Sequence, residues 1–219
     1  MRPGGRRTAL SGQYAAATVG FNDNIAVQLS KKNTRFQYKL IKSGARAAEF
    51  ENAIEWLVMA NLISRVYRAE QIKKPLENYR DIDSFKIYLS DLGLLSAKKD
   101  IVPNDILYMV EELNDYKGGM TENYVYSQLN ANGITAYYWE SERGAEVDFV
   151  IQLGGRLIPL EVKSADNTKA KSLRVYRDTF KPDYAIKLSA KNFGFEGGIK
   201  TVPLYAAFCI TESEGKGTP

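Results

Sequence analysis

The sequence predicts a mixed α/β protein, with a mainly helical first half and a sheet-rich second half in the order α-β-β-β-α-β. Three observations carry this. From Arg46 to Leu62, apolar residues recur at helical spacing and put Phe50, Ile54, Leu57, Val58 and Leu62 on one stripe. Between Thr135 and Ser164, three short runs alternate apolar and polar residues instead, the period of strands. Between the two regimes, Asn114-Asp-Tyr-Lys-Gly-Gly119 interrupts the apolar periodicity and marks a boundary.

In chain order, residues 1–20 open with the basic, Gly-rich MRPGGRR and read as a frayed or disordered terminus. Asn24 caps a short helical run in which Ile25 and Leu29 lie one turn apart. The Arg46–Leu62 helix follows, and Asn61 to Arg68 then turns to alternation. Helix, connection, amphipathic helix and β-ribbon is the order of a winged helix-turn-helix, expected over residues 21–115. Arg46, with Lys39, Lys42, Arg65 and Arg68 flanking it, forms a basic setting suited to phosphates. A solvated face of a small helical domain accounts for the same charges, and Ala47, Ala48, Glu49 and Glu51 make a poor groove-reading surface.

FKIYLSDLGLL, residues 85–95, alternates Phe85, Ile87 and Leu89 and reads as a buried strand ending in a turn; Asp91 suits a ligand or, more commonly at such a place, the cap of that turn. Met120 to Leu129 is expected as a helix with Thr121 as its cap and Tyr124, Val125 and Leu129 on its core face. Three strands follow, Thr135–Trp139, Ala145–Leu153 and Arg156–Ser164, the last two joined at Gly154-Gly155. A helix from about Thr168 to Phe180 and a strand Tyr184–Leu188 complete the second domain, expected over residues 116–210. Residues 211–219 read as a flexible tail.

Composition narrows the chemistry. The chain of 219 residues has Lys plus Arg 30 against Asp plus Glu 26, a mild basic excess. It has no histidine, which removes Ser-His-Asp and Cys-His catalysis and HExxH zinc sites. The single cysteine, Cys209, lies in the apolar run Ala206–Ile210 and suits packing; it points to a reducing, cytoplasmic setting. No apolar run approaches the length of a membrane span, and the expectation is no membrane partner. There is neither a GxxxxGK[ST] phosphate loop nor a GxGxxG fingerprint, so nucleotide binding is not expected.

The charged residues of the hairpin stand apart. Glu146 and Asp148 share one face of their strand, with Val147, Phe149 and Ile151 expected on the other; Glu161 and Lys163 share a face opposite Leu160 and Val162. Across the turn Asp148 comes beside Glu161, and two adjacent carboxylates call for a cation between them. Lys163 supplies one, and Mg²⁺ would neutralise the pair more fully. A cross-strand ion pair on a solvated sheet face is the plainer account.

Asp148 followed by Glu161-Val-Lys163 resembles the core of the PD-(D/E)XK nuclease-like superfamily. Across nearly the whole chain, FKIYLSDLGLL, GGMTENYV, EVDFV and IPLEVKS resemble, in that order, landmarks of the DUF4143 region that follows the ATPase module in predicted prokaryotic AAA-type ATPases. The resemblance implies a restriction-endonuclease-like second domain. In it Asp148 and Glu161 are metal ligands, joined by the Val162 carbonyl and by Glu122 on the preceding helix. Lys163 is its catalytic lysine, Mg²⁺ its cofactor, DNA its substrate and an ATPase module its partner. A non-catalytic nucleic-acid-binding or regulatory module fits the same family. Lys171, Lys169 and Arg174 either hold phosphates or form a solvated helix face.

Overall fold

The computed structural model describes residues 35–38, 47–97, 114–164 and 171–212. The protein is mixed α/β, built on one eight-stranded sheet. Helix α1 (Ala47–Met59) leads into β1 (Ile63–Ala69), which pairs antiparallel with β2 (Arg80–Leu89). A short helix α2 (Leu92–Ala97) follows, and Asp91 Oδ1 accepts the Gly93 N–H at 2.5 Å, the turn cap that the sequence suggests. Helix α3 (Asn114–Ala131) precedes β3 (Ala136–Glu140), β4 (Glu146–Leu153) and β5 (Arg156–Val162). Helix α4 (Lys171–Phe180), β6 (Ala185–Ser189), β7 (Gly194–Glu196), β8 (Ile199–Pro203) and a 3-10 turn at Leu204–Cys209 complete the described chain.

The sheet order is β2-β1-β3-β4-β5-β6-β8-β7. The strands of the first half therefore lie in the same sheet as those of the second, joined where Arg68 of β1 runs parallel beside Tyr138 of β3. The expected order α-β-β-β-α-β is observed from α3 to β6. Of the winged-helix expectation, α1 and the β1–β2 ribbon fall among the described residues. The first helix and Lys39, Lys42 and Arg46 lie outside them.

Three apolar clusters hold the layers together. On one face, Val125, Tyr126 and Leu129 of α3 pack on Phe149, Ile151, Leu160, Val162, Ile186 and Leu188. On the other, Leu173 and Tyr176 of α4 pack on Tyr137, Trp139, Val147, Val150 and Ala185. Phe50, Ile54 and Leu57 of α1 cover Ile63, Phe85, Ile87 and Leu89. Burying side chains of this size stabilises by about 1.5–3 kcal/mol each before conformational entropy is charged against it.

Some elements differ from the sequence expectation. Helix α3 begins at Asn114 and runs through Gly118-Gly119, because packing of its C-terminal half overrides the weak propensity of two glycines. Thr121 is therefore inside the helix rather than capping it, and its hydroxyl donates to the Lys117 carbonyl at 2.5 Å. Strands β7 and β8 and the 3-10 turn were not anticipated. Between Tyr137 and Trp139 the register shifts so that Tyr138 faces both Asp148 and Phe149, a β-bulge. Val147 consequently joins the α4 side while Phe149 and Ile151 join the α3 side, correcting the expectation that all three share a face.

Candidate functional site

The bulge positions the charged residues. Strand β4 pairs Phe149 with Leu160 of β5, and continuing that register by one residue sets Asp148 opposite Glu161. Here the strands part, and the Asp148 carboxylate enters the ladder itself: its Oδ2 accepts the Val162 N–H at 2.7 Å. Glu161 and Lys163 are two residues apart on β5, and the Lys163 ammonium donates to Glu161 Oε1. The backbone N–H of Lys163 donates to Leu188 of β6 at 2.9 Å, fixing the end of the strand. Asp148, Glu161 and Lys163 thus meet at one corner of the sheet, as the sequence suggests.

The fourth expected residue, Glu122, reaches the same corner from α3, but its nearest partners come from the first half of the chain. Lys86 of β2 is fully buried; its ammonium donates to Glu122 Oε1 at 3.1 Å and to Glu146 Oε1 at 2.5 Å. The Tyr88 hydroxyl donates to Glu122 Oε1 at 2.5 Å. The ring of Tyr138 lies 5.2 Å from the Lys86 ammonium, close enough for a cation–π contact. Lys86 and Tyr88 escaped the sequence reading because their partners are distant in the chain. The available signal was that Lys86 and Tyr88 share one face of a strand whose other face, Phe85, Ile87 and Leu89, already reads as buried.

Burial dominates the electrostatics. It raises Glu122 to about 7, with Asp148 adding to the rise and Lys86 and Tyr88 opposing it. Burial also raises Asp148, against the pull of Lys86, the Val162 N–H and Lys163. Burial disfavours the charge on Lys86, yet Glu122, Glu146 and Asp148 outweigh it and its pKa rises. Lys163 behaves likewise, with Glu161, Asp148 and Glu122 overcoming its burial. Four carboxylates, Glu122, Glu146, Asp148 and Glu161, thus share this corner with two ammonium groups, Lys86 and Lys163.

Among the described residues, no group of three His, Cys, Asp or Glu side chains is arranged to hold a metal ion by itself. Mg²⁺ asks for less: one or two carboxylates, completed by waters and substrate oxygens. Asp148 and Glu161 are a donor set of that kind, all oxygen, in a corner where carboxylates outnumber ammonium groups. The residues present fit such an ion.

The basic residues considered for nucleic acid are distributed differently. Arg65 pairs with Glu51 at 2.7 Å and Glu55 at 3.0 Å, lies over the Phe85 ring, and has a side chain only 8% exposed. Arg68 pairs with Asp81 at 2.7 Å. Lys171 is exposed at the start of α4. A cavity of about 310 Å³, lined by Ile72, Lys74, Arg156, Tyr176, Phe180 and Asp183 among others, includes none of Glu122, Glu146, Asp148 and Glu161.

Among the described residues no helix is long and apolar enough to cross a membrane. A comparison with curated proteins gives no match. Residues 15–105 match the family model of one domain of unknown function, DUF8612, so FKIYLSDLGLL and Lys86 fall in a different family's segment from the rest of the corner. Residues 117–207, the segment that carries Glu122, Glu146, Asp148, Glu161 and Lys163, match the family model of another: over that length the chain is similar to DUF4143, a domain of unknown function.

Proposed function

We propose that the corner formed by Asp148, Glu161 and Lys163 takes one Mg²⁺ and serves metal-dependent hydrolysis of phosphodiesters, with DNA as the substrate class. The observation that carries this is the convergence of two carboxylates and an ammonium where β4 and β5 part, in a cluster with more carboxylates than ammonium groups. In this reading Asp148 and Glu161 hold the ion, with the Val162 carbonyl as a further donor. The ion would lower the pKa of a bound water and offset negative charge on the phosphoryl group. Lys163, steadied by Glu161 and by its own N–H on Leu188, presents an ammonium to the same place, suited to orient water or a phosphoryl oxygen. Glu122 and Glu146 act one step back by holding Lys86. The ATPase module that the resemblance implies is the proposed partner.

A second reading, a non-catalytic nucleic-acid-binding or regulatory module, is favoured by one specific observation. Glu161, Glu122 and Glu146 each already accept from an ammonium within the chain. The two readings separate in a single assay, cleavage of labelled single- and double-stranded DNA with Mg²⁺ or Mn²⁺, an EDTA control, and Glu161→Ala and Lys163→Ala. Metal-dependent cutting that falls by about 10²-fold or more in both variants supports the phosphodiesterase. Absence of cutting together with absence of metal binding by calorimetry leaves the non-catalytic module.

A further inference from the structure

Lys86 is the most unusual residue of the corner. A fully buried lysine is tolerated only where its charge is met in full. Here Glu122 Oε1 and Glu146 Oε1 stand at 3.1 Å and 2.5 Å from the ammonium, the Tyr138 ring lies beside it, and Asp148 contributes a further negative field. Two oxygen donors converging from different elements on one buried point supply the one or two carboxylates that a hard divalent ion such as Mg²⁺ takes from a protein. That point is filled by a side chain.

We infer that Lys86 is a resident cation, its ammonium holding the position between Glu122 and Glu146 that a divalent ion would otherwise take. The corner then accepts one divalent ion, at Asp148 and Glu161, and not two; this part rests on the reading proposed above. Three features favour a cation stand-in over an ordinary structural ion pair. The ammonium is bridged by two carboxylates rather than matched to one. The Tyr88 hydroxyl donates to the same Glu122 oxygen, fixing the donor that the cation uses. The carboxylates lie in the segment matching DUF4143, whereas Lys86 lies in the segment matching DUF8612. The acidic corner is incomplete until β2 is in place beside α3 and β4.

The test is calorimetric titration of Mn²⁺ into the full chain, comparing wild type with Lys86→Met, which keeps the length and apolar stem but removes the charge, and with Lys86→Arg, which keeps the charge. One ion for wild type and for Lys86→Arg, rising to two for Lys86→Met, is the expected result. No gain in Lys86→Met overturns the inference while leaving the proposed function intact if wild type still binds one ion. Wild type binding none and Lys86→Met binding one sinks the one-ion phosphodiesterase but upholds the resident cation. If Lys86→Met is too unstable to titrate, thermal melts with and without Mn²⁺ decide. A larger Mn²⁺-induced rise in Tm for the variant than for wild type supports the inference, and an equal or smaller rise overturns it.

Discussion

Asn123 pairs with Leu89 as if it were a piece of β-strand: its Nδ2 donates to the Leu89 carbonyl and its Oδ1 accepts the Leu89 N–H, both at 2.8 Å. Leu89 ends β2, the edge strand of the sheet, and is fully buried, so without this side chain two backbone groups would be buried unpaired. Replacing Asn123 with Ala is expected to cost about 2–6 kcal/mol, because each of the two orphaned groups costs about 1–3 kcal/mol. Asn123→Asp, which loses the donor and sets a carboxylate in a fully buried place against the Leu89 carbonyl, should cost at least as much. Urea denaturation of the three proteins checks both the size and the order.

The acidic corner makes stability depend on pH with a defined sign. Glu122 has a folded-state pKa of about 7, above its ordinary value of 4.5, so over that interval the unfolded chain binds fewer protons than the folded one. Stability should therefore fall as pH rises from about 4.5 through about 7, and raised Asp148 adds in the same direction. Raised Lys86 and Lys163 act in the same direction but in a higher pH window. Their contribution is fully present below 10.5 and is lost only as pH climbs beyond it. Urea midpoints measured from about pH 5 to about pH 8 should decline for wild type and flatten for Glu122→Gln.

Arg65 is expected to behave as a structural residue. Its side chain holds Glu51 and Glu55 and covers Phe85, joining α1 to the β1–β2 ribbon. Arg65→Ala should lower stability by about 1–3 kcal/mol, through lost charge-assisted hydrogen bonds and lost packing. DNA affinity at low salt, measured by filter binding, should change little. Lys171→Ala, at an exposed position, should leave stability unchanged within about 0.5 kcal/mol.

The turn at the opposite end of the hairpin from Asp148 and Glu161 offers a control. Gly155 has φ of 78° and open space where a Cβ would go, so a side chain there meets backbone strain and nothing else. Gly155→Ala should destabilise by about 1–2 kcal/mol without altering metal binding.

What the sequence made legible follows from the range of each signal. Glu161 and Lys163 sharing a face, and Asp148 opposite Glu161, needed only a period of two and a tight turn; both are local. Val147 and Phe149 were misassigned because one extra residue opposite Tyr138 breaks that period, and the letters of a strand do not announce a bulge. Lys86 was invisible as a site residue for a different reason. A lysine within an alternating strand reads as solvent-facing until the helix and strand that cover it, 36 and 60 residues further on, are placed. Strands β7 and β8 are short and carry little apolar alternation, so the pairing of β8 with β6 is a tertiary outcome rather than a local preference.

The parallel seam between β1 and β3 has a consequence for how this protein is made. When the ribosome has extruded β1 and β2, β1 lacks its neighbour β3 and Lys86 lacks Glu122 and Glu146; these lie within residues 122–146, which are translated later. A nascent chain paused at the end of β2 would present an open strand edge and a lysine with no buried place to go, the kind of surface that aggregates or recruits a chaperone. Vectorial synthesis therefore cannot complete the first half by itself, and the ribbon must wait, partly formed, for the corner that comes after it.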